Sequence, residues 1–443
     1  MLDIKFIREN PDRIREAARQ KRIDCDLDRL LAADQRRREL QLELDTLRNR
    51  VREDGQQIGM LRNPKSKPYQ EAQGAGQSDA QIRAEADRLQ AEVSTLKPRI
   101  KTLEDEETRV LAEFDELMLT IPQPSDPEVP VGADDRENVE IRRVGEVRRF
   151  EFEPKDHVAL GEALGIIDIE RGVRLGGTRN YTLRGDGTLL HQAVLRLAQD
   201  MMVARGFVPM VVPVLVREEV MYGTGYFPSG RDQAYLCERD EMSLVGTAEV
   251  PLTALHAGEI LEEQALPLRY CALSTCFRRE AGAAGKDTAG LYRIHLFDKV
   301  EQVIVCRNDI DTSKQHHLEI LQNAEDIVQA LGLPYRVVNV CSGDLGMGQV
   351  LKYDIETWMP SRNGYGETHS ASRFYEFQAR RLKLRYRDAG KKVHFCHTLN
   401  NTVIASPRIL IPILELYQNA DGTVTIPPAL RPYMGGRERI EKQ

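Results

Sequence analysis

The sequence predicts an α+β protein: a long antiparallel helical hairpin at the N-terminus, then a mostly antiparallel β-sheet domain flanked by helices. Three observations carry that prediction. Two long apolar seams at helical spacing lie within residues 1–118, with a single break between them. A proline-rich, acidic stretch over 119–143 then separates two regions of different composition. From 144 to 443, short β-branched runs alternate with amphipathic stretches, in no regular strand–helix–strand order.

The first seam is Leu40, Leu44, Leu47, Val51 and Ile58; the second runs Ile82, Leu89, Val93, Leu96, Ile100, Leu103, Val110, Phe114 and Leu117. Steps of three, four and seven place each set on one narrow helix face. Pro98 falls inside the second seam, and the spacing resumes beyond it, so it should bend that helix rather than end it. RNPKSKPYQEAQGAGQSD breaks both helices, and two seams joined by one break fold most simply as a hairpin coiled coil. At about 1.5 Å per residue each arm is on the order of 50 Å long. Between Gly55 and Gln70 there are no acids, while Arg62, Lys65 and Lys67 are basic; Arg83, Arg88, Lys97, Arg99 and Lys101 lie on the second arm. A rigid arm with a basic tip can follow a phosphate backbone. On spacing alone, a dimerising coiled coil or an inert spacer stays equally open.

IPQPSDPEVPVGADDRENVE reads as an extended linker. Beyond it, VPMVVPVLV, LRYCALSTCF, KVEQVIVC, YRVVNVC and KVHFCHTL read as strands, and LLHQAVLRLAQDMMVARG and SKQHHLEILQNAEDIVQALG as helices. The absence of a G-x-x-x-x-G-K-[ST] loop disfavours a P-loop engine. No run approaches the roughly 18 apolar residues that span a bilayer, and the charged N-terminus lacks a signal-peptide core. Seven cysteines with no C-x-x-C pair fit reduced thiols in a cytoplasmic protein and give no reason to expect structural zinc. A net charge of −7 leaves any nucleic-acid contact to a local patch.

The densest chemistry lies in FRREAGAAGKDTAGLYRIHLFDKVE, from Phe277 to Glu301. Its small-residue loop, with Lys286, could hug a ligand. In extended chain Arg278 and Glu280 share a face, as do Arg293, His295, Phe297, Lys299 and Glu301. Arginines, a flat ring and a carboxylate on one face suit a purine polyphosphate. In SPRILIPILELYQ, Ser406 is read as an N-cap and Pro407 as the first helical residue, which sets Arg408 at a helix entrance that favours anions.

F-R-x-E followed by R-x-H-x-F resembles motif 2 of the class II aminoacyl-tRNA synthetases, and Arg408 with its helix resembles motif 3. TAEVPL, DKVEQ, FQARR, LNNT, IPPALRPYMGG, the opening MLDIKFIRENP and the helical hairpin narrow the resemblance to the seryl-tRNA synthetase family, bacterial type. It covers nearly the whole chain. It implies a tRNA-binding hairpin domain over 1–118, a linker over 119–143, and a class II catalytic domain over 144–443. The implied activity is ligation of serine to tRNA through seryl-adenylate, with ATP as substrate and Mg²⁺ beside it. The implied acceptors are tRNA(Ser) and tRNA(Sec), gripped by the arm. GFVPMVVPVLV resembles motif 1, with Pro213 at a homodimer interface.

By the same resemblance Arg278, Glu280 and Arg408 carry the catalysis. Thr247, Ala248, Glu249, Arg278, Glu301 and Thr402 hold serine, with Thr247 and Glu249 at its ammonium group and Glu301 and Thr402 at its hydroxyl. Arg278, Arg279, Glu280, Arg293, Phe297, Glu367, Thr368, His369, Ser370 and Arg408 hold ATP, and Glu367 and Ser370 hold Mg²⁺. The segment HSASRF departs from the S-S-C-S-N-F of many relatives, which puts His369 and Arg373 in question; Leu296 stands where Gln is common. Two rivals are an amino-acid-activating paralogue that serves a carrier protein, and a catalytically dead RNA-binding homologue.

Overall fold

The computed structural model describes residues 1–282 and 290–442. By its contacts the chain divides into two units, Cys25–Thr120 and Met1–Asp24 together with Ile121–Gln443.

The first unit is two long helices, α1 (Leu27–Leu61) and α2 (Asp79–Met118). Asp26 caps α1 by accepting from the Arg29 amide, and Ser78 and Gln81 form a reciprocal capping box on α2. The seams meet as their spacing predicts. Leu40, Leu44 and Leu103 are buried together with Leu47, Ile100 and Val110 against them; Ile58, Leu89 and Val93 form a second cluster. Helix α2 continues through Pro98. The break holds a short helix of its own, Lys67–Gly74, capped by Ser66 and pinned by buried Tyr69. Charge also behaves differently from the sequence reading. Arg62 pairs with Asp87, Lys67 with Glu71, Arg88 with Glu85 and Arg99 with Glu43. Among the described residues no ion pair holds Lys65, Arg83, Lys97 or Lys101, nor Arg52 and Arg109 elsewhere on the arm, so these cations stay unspent.

The second unit is built on an eight-stranded sheet. Its strands in chain order are β1 (Val139–Val144), β2 (Val208–Met210), β3 (Leu268–Phe277), β4 (Leu296–Cys306), β5 (Tyr335–Asn339), β6 (Leu351–Met359), β7 (Gly364–Tyr375) and β8 (His397–Ser406). They lie in the order β1-β5-β6-β7-β8-β4-β3-β2, antiparallel except where β2 meets β3. Of residues 119–143, read as a linker, those from Ile121 on belong to this unit: Ile121 and Gln123 are buried, the Asp126 amide donates to Val350 O, and the run leads into edge strand β1. VPMVVPVLV yields only β2 and a separate short strand, Leu215–Arg217, because its prolines remove ladder donors.

Helices α3 (Asp186–Ala204) and α4 (Ile310–Ala330) cover one face of the sheet. Gln302 and Asn401 donate to Ile320 O on α4, and His191 of α3 bonds Ser406 and Asp298. These contacts close that face over a continuous apolar core and leave the opposite face, with Phe297, Lys299 and Glu301, to the site. No helix among the described residues is long and apolar enough to cross a membrane.

Candidate functional site

Two β-bulges decide which side chains share the open face. In β7, His369 pairs with Ile355 and Glu367 with Glu356, leaving Thr368 as the extra residue. Strict alternation would put Glu367 and Ser370 on opposite faces; the bulge brings them to the same one, beside Asp354 and Glu356. In β8, Ile404 pairs with Val300 and Thr402 with Glu301, leaving Val403 extra. That shift puts Thr402 and Ala405 on the face of Glu301 and Lys299.

At one end of the face, a cleft is lined by Arg278, Glu280, Tyr292, Phe297, Lys299, Glu367, Thr368, Thr402 and Arg408. Arg278 and Glu280 lie beyond the end of β3, not within it. The Arg278 amide donates to His295 O at 2.9 Å, and His295 Nδ1 lies 2.9 Å from Arg278 O, so the backbone there is fixed from both sides. The Arg278 guanidinium sits 5.1 Å from the centre of the Phe297 ring. Glu280 adopts a positive φ of 52° and accepts from Arg293 at 2.7 Å. Arg408 donates to Tyr292 O and to Glu367 O, each at 3.0 Å, and lies over the Tyr292 ring. Burial raises the Glu367 carboxyl, but Arg408, Lys352, Arg278 and Lys299 together hold it below the ordinary carboxylate range.

The other end is a buried polar cluster. Glu249 accepts from Tyr226 at 2.7 Å, Gln378 at 2.8 Å and Asn400 at 3.0 Å. The same Asn400 amide donates to Glu301 at 2.9 Å. Thr247 donates to Glu301 at 3.4 Å and accepts from the Glu249 amide at 3.1 Å. Lys299 ion-pairs with Glu301 and lies 3.4 Å from Thr402 Oγ1. Two carboxylates, one ammonium and several neutral donors therefore converge in a water-poor space that opens toward Arg278.

Several sequence expectations change. Ser406 ends β8 and bonds His191, so it caps nothing; the helix α5 (Leu410–Tyr417) starts later, and Arg408 lies in the turn before it. Arg279 turns away from the cleft and donates to Asp232 O at 3.1 Å. His369 points to the opposite face beside Ile355, with its ring bonded to Thr368, and burial lowers its pKa to about 4. Ala248 contributes apolar packing with Leu252, Ala272 and Val303. Arg373 is buried against Asp126 and Glu128, away from the cleft. Lys286 and the rest of 283–289 lie outside the described residues. Tyr226, Gln378 and Asn400 were given no role by the sequence, although FQARR and LNNT contain two of them.

Burial first, and Glu301 second, push the Glu249 carboxyl up to about 7. Its pKa is raised on folding, so its contribution to stability is present at acidic pH and lost as pH rises through 7. A ligand ammonium favours the ionised form and therefore binds more tightly at high pH. The KM of an ammonium-bearing substrate is expected to fall about tenfold per pH unit below 7 and level off above it. Glu249→Gln should flatten the profile, and a wild-type KM that is constant from pH 5.5 to 8 would contradict this assignment.

Residues 235–417 match the class II tRNA synthetase core domain (G, H, P, S and T), and residues 1–124 match the seryl-tRNA synthetase N-terminal domain. The chain is 46% identical to the serine–tRNA ligase of Deinococcus radiodurans, over 99% of this chain and 98% of that one. The crystal structure of seryl-tRNA synthetase from Pyrococcus horikoshii complexed with ATP superposes with a TM-score of 0.89 at 36% identity, covering 100% of both chains. That of the cytoplasmic serine–tRNA ligase from Naegleria fowleri in complex with AMP gives 0.84 at 31%, covering 100% of this chain and 99% of that one.

Proposed function

We infer the chemistry of this chain from the family to which it belongs, the seryl-tRNA synthetases: it ligates serine to tRNA at the expense of ATP. The first step forms seryl-adenylate and pyrophosphate; the second passes the seryl group to the 3′ end of tRNA. The observation that carries this reading is the meeting of a cationic, ring-lined cleft with a carboxylate-rich polar pocket, joined at Arg278.

The residue roles follow from charge. A serine carboxylate oxygen attacks the α-phosphorus in line, so two anions must approach each other. Arg278, at the junction, holds the carboxylate and the α-phosphate together and stabilises charge on the phosphorus oxygens. Phe297 offers the purine a stacking face, with Glu280 at the adenine edge, Arg293 toward the outer phosphates, and Arg408 on the other face. Glu249, with Thr247, takes the ammonium, and Glu301 with Thr402 reads the hydroxyl. Arg278, Glu280 and Arg408 are thus the catalytic set. No side-chain nucleophile is required.

Mg²⁺ fits this face by donor chemistry. Glu367 and Ser370 share it, Ser370 stands opposite Asp354 in the ladder, and Asp354 Oδ1 is buried without a hydrogen-bond partner. Among the described residues no cluster of three or more His, Cys, Asp or Glu could cage a metal. A few hard oxygens suit an ion that keeps water and phosphate ligands. Glu367 and Ser370 would hold it, and when bound it neutralises phosphate charge.

Residues 1–118 serve as the tRNA-binding domain, 119–143 as its connection and 144–443 as the catalytic domain, with tRNA(Ser) and, by the same resemblance, tRNA(Sec) as acceptors in the cytoplasm. A homodimer is supported by edge strand β2 and its flank, where Val208 is 50% and Val211 99% exposed. ATP–pyrophosphate exchange across the amino acids, followed by charging of total tRNA, tests the reading. Serine-dependent exchange and charging of serine tRNA are expected; exchange without charging would instead support a carrier-serving paralogue. Glu301→Ala is expected to abolish serine-dependent exchange, and retained exchange would remove Glu301 from the site.

A further inference from the structure

We propose that Lys299 is a specificity-determining residue, whose ammonium donates to the side-chain oxygen of serine while Glu301 accepts a hydrogen bond from the hydroxyl. The proposal rests on the serine reading given above. Lys299 stands between Phe297 and Glu301 on the open face of β4, only 5% exposed, and lines the cleft. Among the described residues its partners are Glu301 and the Thr402 hydroxyl. An ammonium carries three donors, so one is left over in a space where unmade hydrogen bonds are costly.

The charge balance of the pocket gives that donor its purpose. Four charged groups converge: Glu249, Glu301, Lys299 and Arg278. Serine brings one cation and one anion. Lys299 and Glu301 already match each other, which leaves Glu249 for the ammonium and Arg278 for the carboxylate. Glu301 is thereby relieved of the ammonium and free to meet a neutral hydroxyl. Without Lys299, Glu301 would be a buried carboxylate with no counter-charge, and it would capture the substrate ammonium or become protonated. Either change removes the acceptor that distinguishes serine from alanine. With the pair intact, alanine leaves a donor and an acceptor unpaired, the situation in which sites reach discrimination of about 10⁴–10⁵.

The test is ATP–pyrophosphate exchange by full-length Lys299→Met and Lys299→Arg, with serine and with alanine, alongside thermal unfolding. For Lys299→Met, kcat/KM for serine should fall about 10³-fold while that for alanine changes less than about threefold, so that most of the discrimination is lost. Lys299→Arg should restore part of the serine preference. An equal loss for both amino acids, or an undiminished serine preference, overturns the proposal. If Lys299→Met does not fold, Lys299→Met with Glu301→Gln removes both buried charges together, and a wild-type serine-to-alanine ratio in that double variant overturns it as well. Wild-type exchange separates the two layers of inference. A wild-type enzyme that ignores serine defeats the serine reading itself, whereas one that prefers serine alongside a variant of equal preference defeats only the role of Lys299.

Discussion

Arg278→Ala is expected to lower serine-dependent ATP–pyrophosphate exchange by about 10³-fold or more while leaving thermal unfolding nearly unchanged. The kinetic loss is large because the side chain is asked to act where two anions meet, in a water-poor cleft whose other residues cannot replace it. Arg408 is held by Tyr292 O and Glu367 O, Arg293 by Glu280, and Lys299 by Glu301. The structural loss is small because Arg278 has little to lose. Its guanidinium donates to Gly246 O at 3.5 Å, a long hydrogen bond, and otherwise packs on the Phe297 ring. Its position is set by backbone hydrogen bonds to His295, which alanine retains. Arg278→Lys keeps the charge without the planar fork and should recover only part of the rate. Exchange within tenfold of wild type in Arg278→Ala would remove Arg278 from the reaction. A drop in the unfolding midpoint that tracks the rate loss would make its role structural.

Much of the fold was legible because it depends on local periodicity. LRYCALSTCF became β3 residue for residue, and the heptad seams of α1 and α2 meet as their spacing required. The site was legible where one segment holds several of its members, as Phe277–Glu301 does. What escaped the sequence depends on pairing between distant segments. The extra residues Thr368 and Val403 are bulged by their partner strands, and nothing in their own identity marks them. They nevertheless decide that Glu367 and Ser370 share the open face while His369 does not. Tyr226, Gln378 and Asn400 converge on Glu249 from three remote stretches, so no spacing rule could assemble them. Ser406 had the composition of a helix cap, but the ladder of β8 claimed it first. The arginine of HSASRF, whose role the sequence leaves in question, is in the fold the buried counter-charge of Asp126 and Glu128.

Excision of residues 27–118, with a short Gly-Ser join, is expected to leave serine-dependent exchange within about threefold of wild type and to reduce tRNA charging by about 10³-fold or more. Every residue assigned to serine or ATP lies between Thr247 and Arg408, in the unit that contains Met1–Asp24 and Ile121–Gln443. The arm carries its own apolar clusters, and its cross-helix ion pairs, such as Arg29 with Glu113 and Arg48 with Glu104, are internal to it. No member of the buried polar network around Glu249 belongs to it. On the proposed reading its contribution is to the acceptor, and that contribution is expected to be electrostatic. Because paired arginines have little charge to offer a phosphate, the burden falls on the cations without an ion pair, Lys65, Lys97 and Lys101 among them. Replacing these three lysines with alanine should weaken charging at every salt concentration. It should also reduce the slope of log affinity for tRNA against log salt by about two to three, because each phosphate a lysine neutralises releases close to one counterion. An unchanged slope would place the phosphate-binding cations elsewhere on the chain. Equal loss of exchange and charging on excision would mean that the arm supports the catalytic unit rather than the RNA. A dimerising spacer predicts a third pattern: excision would change the oligomeric state, while the triple lysine variant would charge tRNA normally. The two variants together therefore distinguish a phosphate-gripping arm from the coiled-coil and spacer readings that heptad spacing alone leaves open.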